Sequence, residues 1–305
     1  MRLDNYLLRE LNGVPRSYVY RIIRSGEVRI NSGRAKPASR LHVDDKVRIP
    51  PVKLQAKGDP GRPPDGLIQK VLASILLETD DFLVMNKPPG LPVHGGTGQR
   101  FGVIEVLRAA RPDDTVELAH RLDRDTSGCL LIARSRKTLN ALIDSMRDVR
   151  AEKSYTALLA GQWRGGEREI DVALVRDQTR GGERMVEVDE QGDRGKTAIS
   201  HFVPREVFAS HKPPASLMDV RIITGRTHQI RVHAAHQKHP VAGDEKYGDR
   251  EFNKSMKAFG LSRTFLHAGS LLLPGMDAGK DLRLHAPLPD DLQRVLDKLR
   301  LKIEE

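Results

Sequence analysis

The chain is 305 residues long, 38% hydrophobic and 30% charged, proportions that exclude a disordered chain and leave room for about two domains and at least one sizeable core. No window approaches the roughly 18 consecutive apolar residues of a membrane span, and Met1-Arg2-Leu3-Asp4-Asn5 does not begin a secretory signal. The single cysteine, Cys129, excludes a disulfide framework and a Cys-rich metal site, and by default implies a reducing, cytoplasmic setting.

The net charge of +10 suggests a polyanionic partner. Residues 1–50 hold nine Arg and two Lys against three Asp and two Glu, a local net of +6. That clustering favours nucleic acid over a merely soluble basic surface. Leu3, Tyr6, Leu7 and Leu11 recur at helical spacing, with Asn12-Gly13 placed to stop the helix. Val14-Pro15-Arg16-Ser17 opens a second helix, whose apolar face is Val19, Ile22 and Ile23 and whose end is Ser25-Gly26. Arg16, Arg21 and Arg24 fall away from that stripe. Val28-Arg29-Ile30 and Val47-Arg48-Ile49 predict short strands, with Asn31-Ser32-Gly33 as a tight turn. Residues 1–51 therefore form a compact module. Residues 52–69, dense in Pro and Gly, read as a flexible linker.

From residue 70 to 305 the pattern changes. Ile75-Leu76-Leu77-Glu78 and Phe82-Leu83-Val84-Met85 are strand-like runs joined by a turn at Thr79-Asp80-Asp81. Cys129-Leu130-Leu131-Ile132-Ala133, Tyr155-Thr156-Ala157-Leu158-Leu159-Ala160, Met218-Asp219-Val220-Arg221-Ile222 and Phe265-Leu266-His267-Ala268 have the same character. Residues 138–146 and 289–301 are helix candidates. Many strands, few long helices and no βα alternation predict an antiparallel α+β domain.

Two segments resist a purely structural reading. Residues 87–96, Lys-Pro-Pro-Gly-Leu-Pro-Val-His-Gly-Gly, follow a strand and cannot be regular structure. Such loops usually only turn the chain, though the glycines permit a close approach to substrate. The run His120-Arg121-Leu122-Asp123-Arg124-Asp125-Thr126-Ser127-Gly128 sets a dense charged cluster directly before an apolar strand. Charges beside a core must be paired, so the run is either a self-pairing surface turn or the lining of a cleft.

His-Arg-Leu-Asp-x-x-Thr-Ser-Gly resembles the signature of the RluA family of pseudouridine synthases, and the Arg-Asp filling resembles its RluC branch. The resemblance continues through residues 87–96, Lys153-Ser154-Tyr155, the run 224–233 (Thr-Gly-Arg-Thr-His-Gln-Ile-Arg-Val-His) and Phe265-Leu266-His267-Ala268. Residues 1–51, from Arg2-Leu3-Asp4-Asn5-Tyr6-Leu7 to Gly26-Glu27-Val28-Arg29-Ile30-Asn31, resemble an S4 RNA-binding domain. The implied fold is a small S4 domain plus an α+β catalytic domain on a mixed, mainly antiparallel β-sheet flanked by helices and loops. The implied activity is uridine isomerisation in RNA, with 23S rRNA of the large ribosomal subunit or its precursor as partner.

By the same resemblance Asp123 is the catalytic carboxylate, Tyr155 and Arg231 complete the catalytic set, and Arg121 takes part in flipping the base. Arg226, with Arg16, Arg21 and Arg24 of the amino-terminal module, is a candidate for holding RNA. Isomerisation breaks N1–C1′ and joins C5 to C1′ with no net electron transfer, so no cofactor is expected. A carboxylate can serve as nucleophile at sugar or base, or remove a sugar proton. An Arg can grip both its oxygens and favour its charged form. Tyr155 offers a ring to stack on an extruded uracil, with a hydroxyl able to relay a proton. His228, His233, His236 and His239 lie close together in sequence, but they lack Cys partners, and His228 and His233 would face opposite sides of a strand. Neutral, hydrogen-bonded structural histidines are expected there and at His267, and no metal. Nothing requires more than a monomer. The alternatives are a non-catalytic RNA-binding or assembly protein and an RNA methyltransferase, the latter needing a glycine-rich cofactor loop that the chain lacks.

Overall fold

The computed structural model describes residues 1–11, 14, 16–51, 61–96, 99–176, 185–277 and 279–301. The chain divides into two compact units, Met1–Gly61 and Arg62–Glu305.

The first unit pairs α1 (Leu3–Glu10) with α2 (Arg16–Arg24) and adds β1 (Arg29–Ile30), β2 (Gly33–Arg34) and β3 (Val47–Arg48) in the order β2-β1-β3. Leu3, Leu7, Val19, Ile22, Ile23 and Val28 are buried together, as the helical spacing requires. Arg16, Arg21 and Arg24 are exposed. The Arg21 guanidinium lies 4.5 Å from the centre of the Tyr18 ring, and Arg16 lies 5.6 Å from that of Tyr20. The expected helix stop at Asn12-Gly13, and Pro15, fall outside the described residues, as does most of the expected linker, 52–60. The end of that linker is helical: α3 (Asp65–Leu72) begins within it, because Ile68 and Val71 have a core to enter.

The second unit continues with β4 (Ile75–Glu78), β5 (Phe82–Lys87), α4 (Val103–Ala110), β6 (Glu117–Leu118), β7 (Ser127–Ala133), α5 (Arg136–Ser145), β8 (Glu152–Ala160) and β9 (Arg168–Asp171). Then come β10 (Leu174–Arg176), β11 (Val186–Val188), β12 (Ile199–Phe208), β13 (Ala215–Ile222), α6 (Gln229–His236), α7 (Arg250–Met256), β14 (Leu266–Asp277), β15 (Lys280–His285) and α8 (Asp290–Leu301). The main sheet runs β4-β5-β7-β14-β8-β13-β12-β9, with β15 also on β14 and β6 also on β7, and β10 pairs β11 separately. It is mixed and mainly antiparallel; its parallel pairing is β7 with β14.

Alternation explains the layers. On β5 and β7, Leu83, Met85, Leu130 and Ile132 face α3 and α4, while Phe82, Val84, Cys129 and Leu131 face α5. Every residue of β7 is buried, which is why it reads as one continuous apolar run. Farther along, α6 covers one face of β8 and β13, and α7 and α8 cover the other. The β7–β14 junction is close. Gly128 has φ +119°, and a Cβ there would stand 2.2 Å from the Ala268 carbonyl oxygen.

Candidate active site

Asp123 lies in the loop that feeds β7, at the edge of a cleft of about 1230 Å³ lined by Arg121, His228, Arg231, Lys246 and Arg263 among others. A smaller recess shares Asp123 and adds Tyr155, Ile222, Arg226 and Leu266. Asp123, Tyr155, Arg231, Arg121 and Arg226 are thus brought together in the second unit. Arg16, Arg21 and Arg24 belong to the first.

The loop is pinned from below. Lys87, at the end of β5, is wholly buried and donates from Nζ to the carbonyls of Pro88 and Leu91 at 2.8 Å and of Arg124 at 2.9 Å. Three acceptors match the three hydrogens of an ammonium. Burial lowers its pKa to about 7, with Asp125 and Asp123 opposing. The Gly90 N–H adds a second bond to the Arg124 carbonyl, at 2.9 Å. Residues 87–96 therefore do more than turn the chain: they hold the Asp123 loop. Arg124 and Asp125 pair with each other, so the self-pairing turn and the cleft lining are both present.

The expectation that His228 and His233 stand on a strand is corrected: Gln229–His236 form α6. The Gln229 side chain accepts from the Thr224 hydroxyl and the Arg226 N–H, and Ile230 and Ala234 enter the core one turn apart. The correction matters for function. Arg231 in the helix and His228, the left-handed residue just before it, both approach Asp123, whereas on a strand a spacing of three would turn them to opposite faces.

Arg231 also departs from the expected grip on Asp123. Its Nε and Nη2 donate to both oxygens of Asp244, at 2.7 and 2.8 Å, and Nη1 stands 3.6 Å from Asp123 Oδ2. Asp244 is fully buried; at Asp123 the side chain is 18% exposed, enough to meet substrate. Burial would raise the Asp244 carboxyl, but Arg231 and the backbone N–H groups of Tyr247 and Lys246 outweigh it and hold it below its ordinary range. Sequence reasoning missed Asp244. The signal available was the run Gly243-Asp244-Glu245-Lys246-Tyr247-Gly248, an acid between two glycines that tolerate no side chain. A Cβ on Gly243 would stand 2.1 Å from the Arg263 carbonyl oxygen, and one on Gly248 2.0 Å from that of Asp244.

Tyr155, on β8, packs its ring against the cores on both sides. Burial, and then Asp123, raise its phenol, so the hydroxyl stays protonated. The recess beside it, about 80 Å³, also reaches Ile222 and Leu266.

Burial pushes His120, His228, His233 and His267 down to about 4. His120 Nε2 accepts the Leu131 N–H at 3.1 Å, and His267 bonds Ser127 and the Ala286 carbonyl at 3.0 and 2.9 Å. His233 is wholly buried, with the Val172 backbone beside its ring but no well-formed hydrogen bond from either ring nitrogen among the described residues. Among those residues no cluster of three or more His, Cys, Asp or Glu could hold a metal, and no helix is long and apolar enough to cross a membrane.

A stability prediction follows from the four depressed values. Between the ordinary histidine value of 6.5 and about 4, the unfolded chain binds protons that the folded chain refuses. Stability is therefore full above 6.5 and falls as pH drops, by up to about 1.4 kcal/mol per histidine per pH unit. Urea midpoints at about pH 7.5 and about pH 5 should differ, with the lower pH less stable by several kcal/mol. Equal midpoints would contradict neutral burial of these rings.

The chain belongs to the RNA pseudouridylate synthase family, which it matches over residues 81–236, and residues 1–47 match the S4 domain. It is 46% identical over 303 residues to the ribosomal large subunit pseudouridine synthase C of Haemophilus influenzae, spanning 98% of this chain and 91% of that one. The protein of the same name from Escherichia coli K12 is 44% identical over 305 residues, 98% of this chain and 93% of that one. Among solved structures, human RNA pseudouridylate synthase domain containing 1 superposes with a TM-score of 0.59 at 28% identity, over 74% of this chain and 94% of that one. The expected fold, an S4 domain with an α+β synthase domain on a mainly antiparallel sheet, is the one found.

Proposed function

We propose that this chain converts uridine to pseudouridine in 23S rRNA of the large ribosomal subunit or its precursor, with Asp123 as the catalytic carboxylate acting on a uridine turned out of its stack. One observation carries the assignment. Asp123 stands partly exposed where the wide cleft meets the recess beside Tyr155, with Arg231 Nη1 3.6 Å from one oxygen.

In the reaction the N1–C1′ bond breaks, the uracil turns, and C5 joins C1′; the proton on C5 is lost and N1 regains one. Each route open to a carboxylate needs its oxygens at the junction of sugar and base. Arg231, fixed by Asp244, supplies a permanent positive charge beside that carboxylate. Tyr155 takes the face of the uracil, and Arg121 enters the space the base leaves. Extrusion costs a few kcal/mol, and phosphate contacts from Arg226 and from Arg16, Arg21 and Arg24 of the S4 domain offset it. One chain carries the whole set, so we place the activity in a monomer working in the cytoplasm.

The test is to incubate the purified protein with unmodified 23S rRNA and map pseudouridine by base-resolved sequencing. New pseudouridines at discrete positions, missing from ribosomes of cells lacking the gene, are expected. An RNA that stays unmodified at every position would refute the substrate.

A further inference from the structure

Tyr247 connects two parts of the site. Its hydroxyl accepts the Val186 N–H at 3.0 Å and lies 2.8 Å from His228 Nδ1. With the amide hydrogen directed at the oxygen, the phenolic proton is free to point at Nδ1. The His228 ring is neutral, since burial, opposed by Asp123, pushes it down to about 4. A neutral imidazole carries one proton, and an accepting Nδ1 places it on Nε2. Nε2 faces Asp123 Oδ1 at 4.0 Å, while Arg231 Nη1 faces Oδ2. The two carboxylate oxygens thus face two different donors, one at the start of α6 and one within it.

The arrangement is held against a backbone preference. His228 has φ 55° and ψ 19°, a left-handed conformation that a non-glycine residue keeps only when its surroundings hold it. Here the Tyr247 bond holds the ring, with an edge contact between the two rings at 5.5 Å and 66°. The same Tyr247 ring lies under the Arg231 guanidinium, 5.0 Å from its carbon, and its N–H donates to Asp244 at 3.1 Å.

We infer that His228, with its tautomer set by Tyr247, is a positioning residue that orients Oδ1 of Asp123 opposite the Arg231 charge beside Oδ2, a role that rests on Asp123 being the catalytic carboxylate. The 4.0 Å separation is longer than a hydrogen bond. A closure of about 1 Å as RNA binds brings the His228 N–H within hydrogen-bond range of Oδ1, where it orients the carboxylate toward the sugar–base junction.

The experiment is single-turnover pseudouridine formation on an rRNA fragment, with RNA affinity measured in parallel. His228→Asn accepts the left-handed backbone but offers its amide only near the Nδ1 position. His228→Gln carries an N–H to the Nε2 position. The Asn variant should react about 10- to 30-fold slower with RNA affinity within about twofold, and the Gln variant should recover to within about threefold of the unsubstituted rate. Tyr247→Phe removes one oxygen and should slow the reaction by a similar factor, with little further loss when combined with His228→Asn. Should His228→Asn fail to fold, Tyr247→Phe carries the test alone. The inference is overturned if His228→Asn and Tyr247→Phe react at the unsubstituted rate, if Gln is as slow as Asn, or if weaker RNA binding accounts for the whole loss. Asp123→Asn, run alongside, separates the two claims. If it still converts uridine, the role of Asp123 falls; if it is inert while His228→Asn is unimpaired, only the role of His228 falls.

Discussion

Asp123→Ala should abolish pseudouridine formation, lowering the rate by at least about 10⁴-fold, which corresponds to about 5.5 kcal/mol of barrier, while leaving the protein folded and bound to RNA. The structure separates these effects. Asp123 is partly exposed, and its nearest cation, Arg231, keeps both bonds to Asp244 when Asp123 is gone. Among the described residues Arg231 keeps its partner, so the melting temperature should move by no more than about 3 °C. Of the arginines proposed to hold RNA, Arg16, Arg21 and Arg24 lie in the first unit, and Arg226, which shares the recess, keeps its bond to the Thr197 carbonyl. A purified Asp123→Ala protein that binds 23S rRNA normally and makes no pseudouridine would separate an enzyme from an assembly factor that merely keeps the fold. One that still modifies its uridines would end the assignment of Asp123.

Asp244→Ala should fail for the opposite reason. Asp244 is fully buried and takes Nε and Nη2 of an Arg231 whose side chain is 9% exposed. Removing one partner of a buried pair leaves the other as an uncompensated charge, at a cost of about 3–5 kcal/mol. The same carboxylate also accepts the N–H groups of Lys246 and Tyr247, so the loop between Gly243 and Gly248 loses its anchor. The expected result is a melting temperature lower by about 10 °C, together with a fall of at least about 100-fold in activity, because a loosened Arg231 no longer stands beside Asp123. Thermal melting and single-turnover rates on the same preparation check both. A variant that keeps its melting temperature would show that Arg231 finds its support elsewhere.

These two carboxylates differ in how visible they are in sequence. Asp123 sits in a run dense in charge over a few positions, so local pattern was enough to raise the question and resemblance to propose a role. Asp244 acts on a residue in another element, and nothing in its neighbours states which arginine it meets. The layers of the sheet were legible because two-residue alternation and unbroken apolar runs are local. Helix α6 was not. Gln229-Ile230-Arg231-Val232-His233 alternates like a strand, and what makes it helical is the side chain of Gln229 closing the turn before it and a buried setting on most of its sides. The role of residues 87–96 was hidden for the same kind of reason: only the fold sets three carbonyls around the Lys87 ammonium and so ties that loop to the one carrying Asp123.

The order of the strands has a consequence for synthesis on the ribosome. β14 lies between β7 and β8, so the half-sheet β4-β5-β7 that carries Asp123 meets the half-sheet β8-β13-β12-β9 only through a strand made near the end of the chain. The seam is two residue pairs, Ser127 with His267 and Gly128 with Ala268. Until Leu266–Asp277 has emerged, Asp123 has no sheet linking it to Tyr155, and a nascent chain cannot assemble the site. A chain truncated before residue 266 should therefore be inert even where both half-sheets are present.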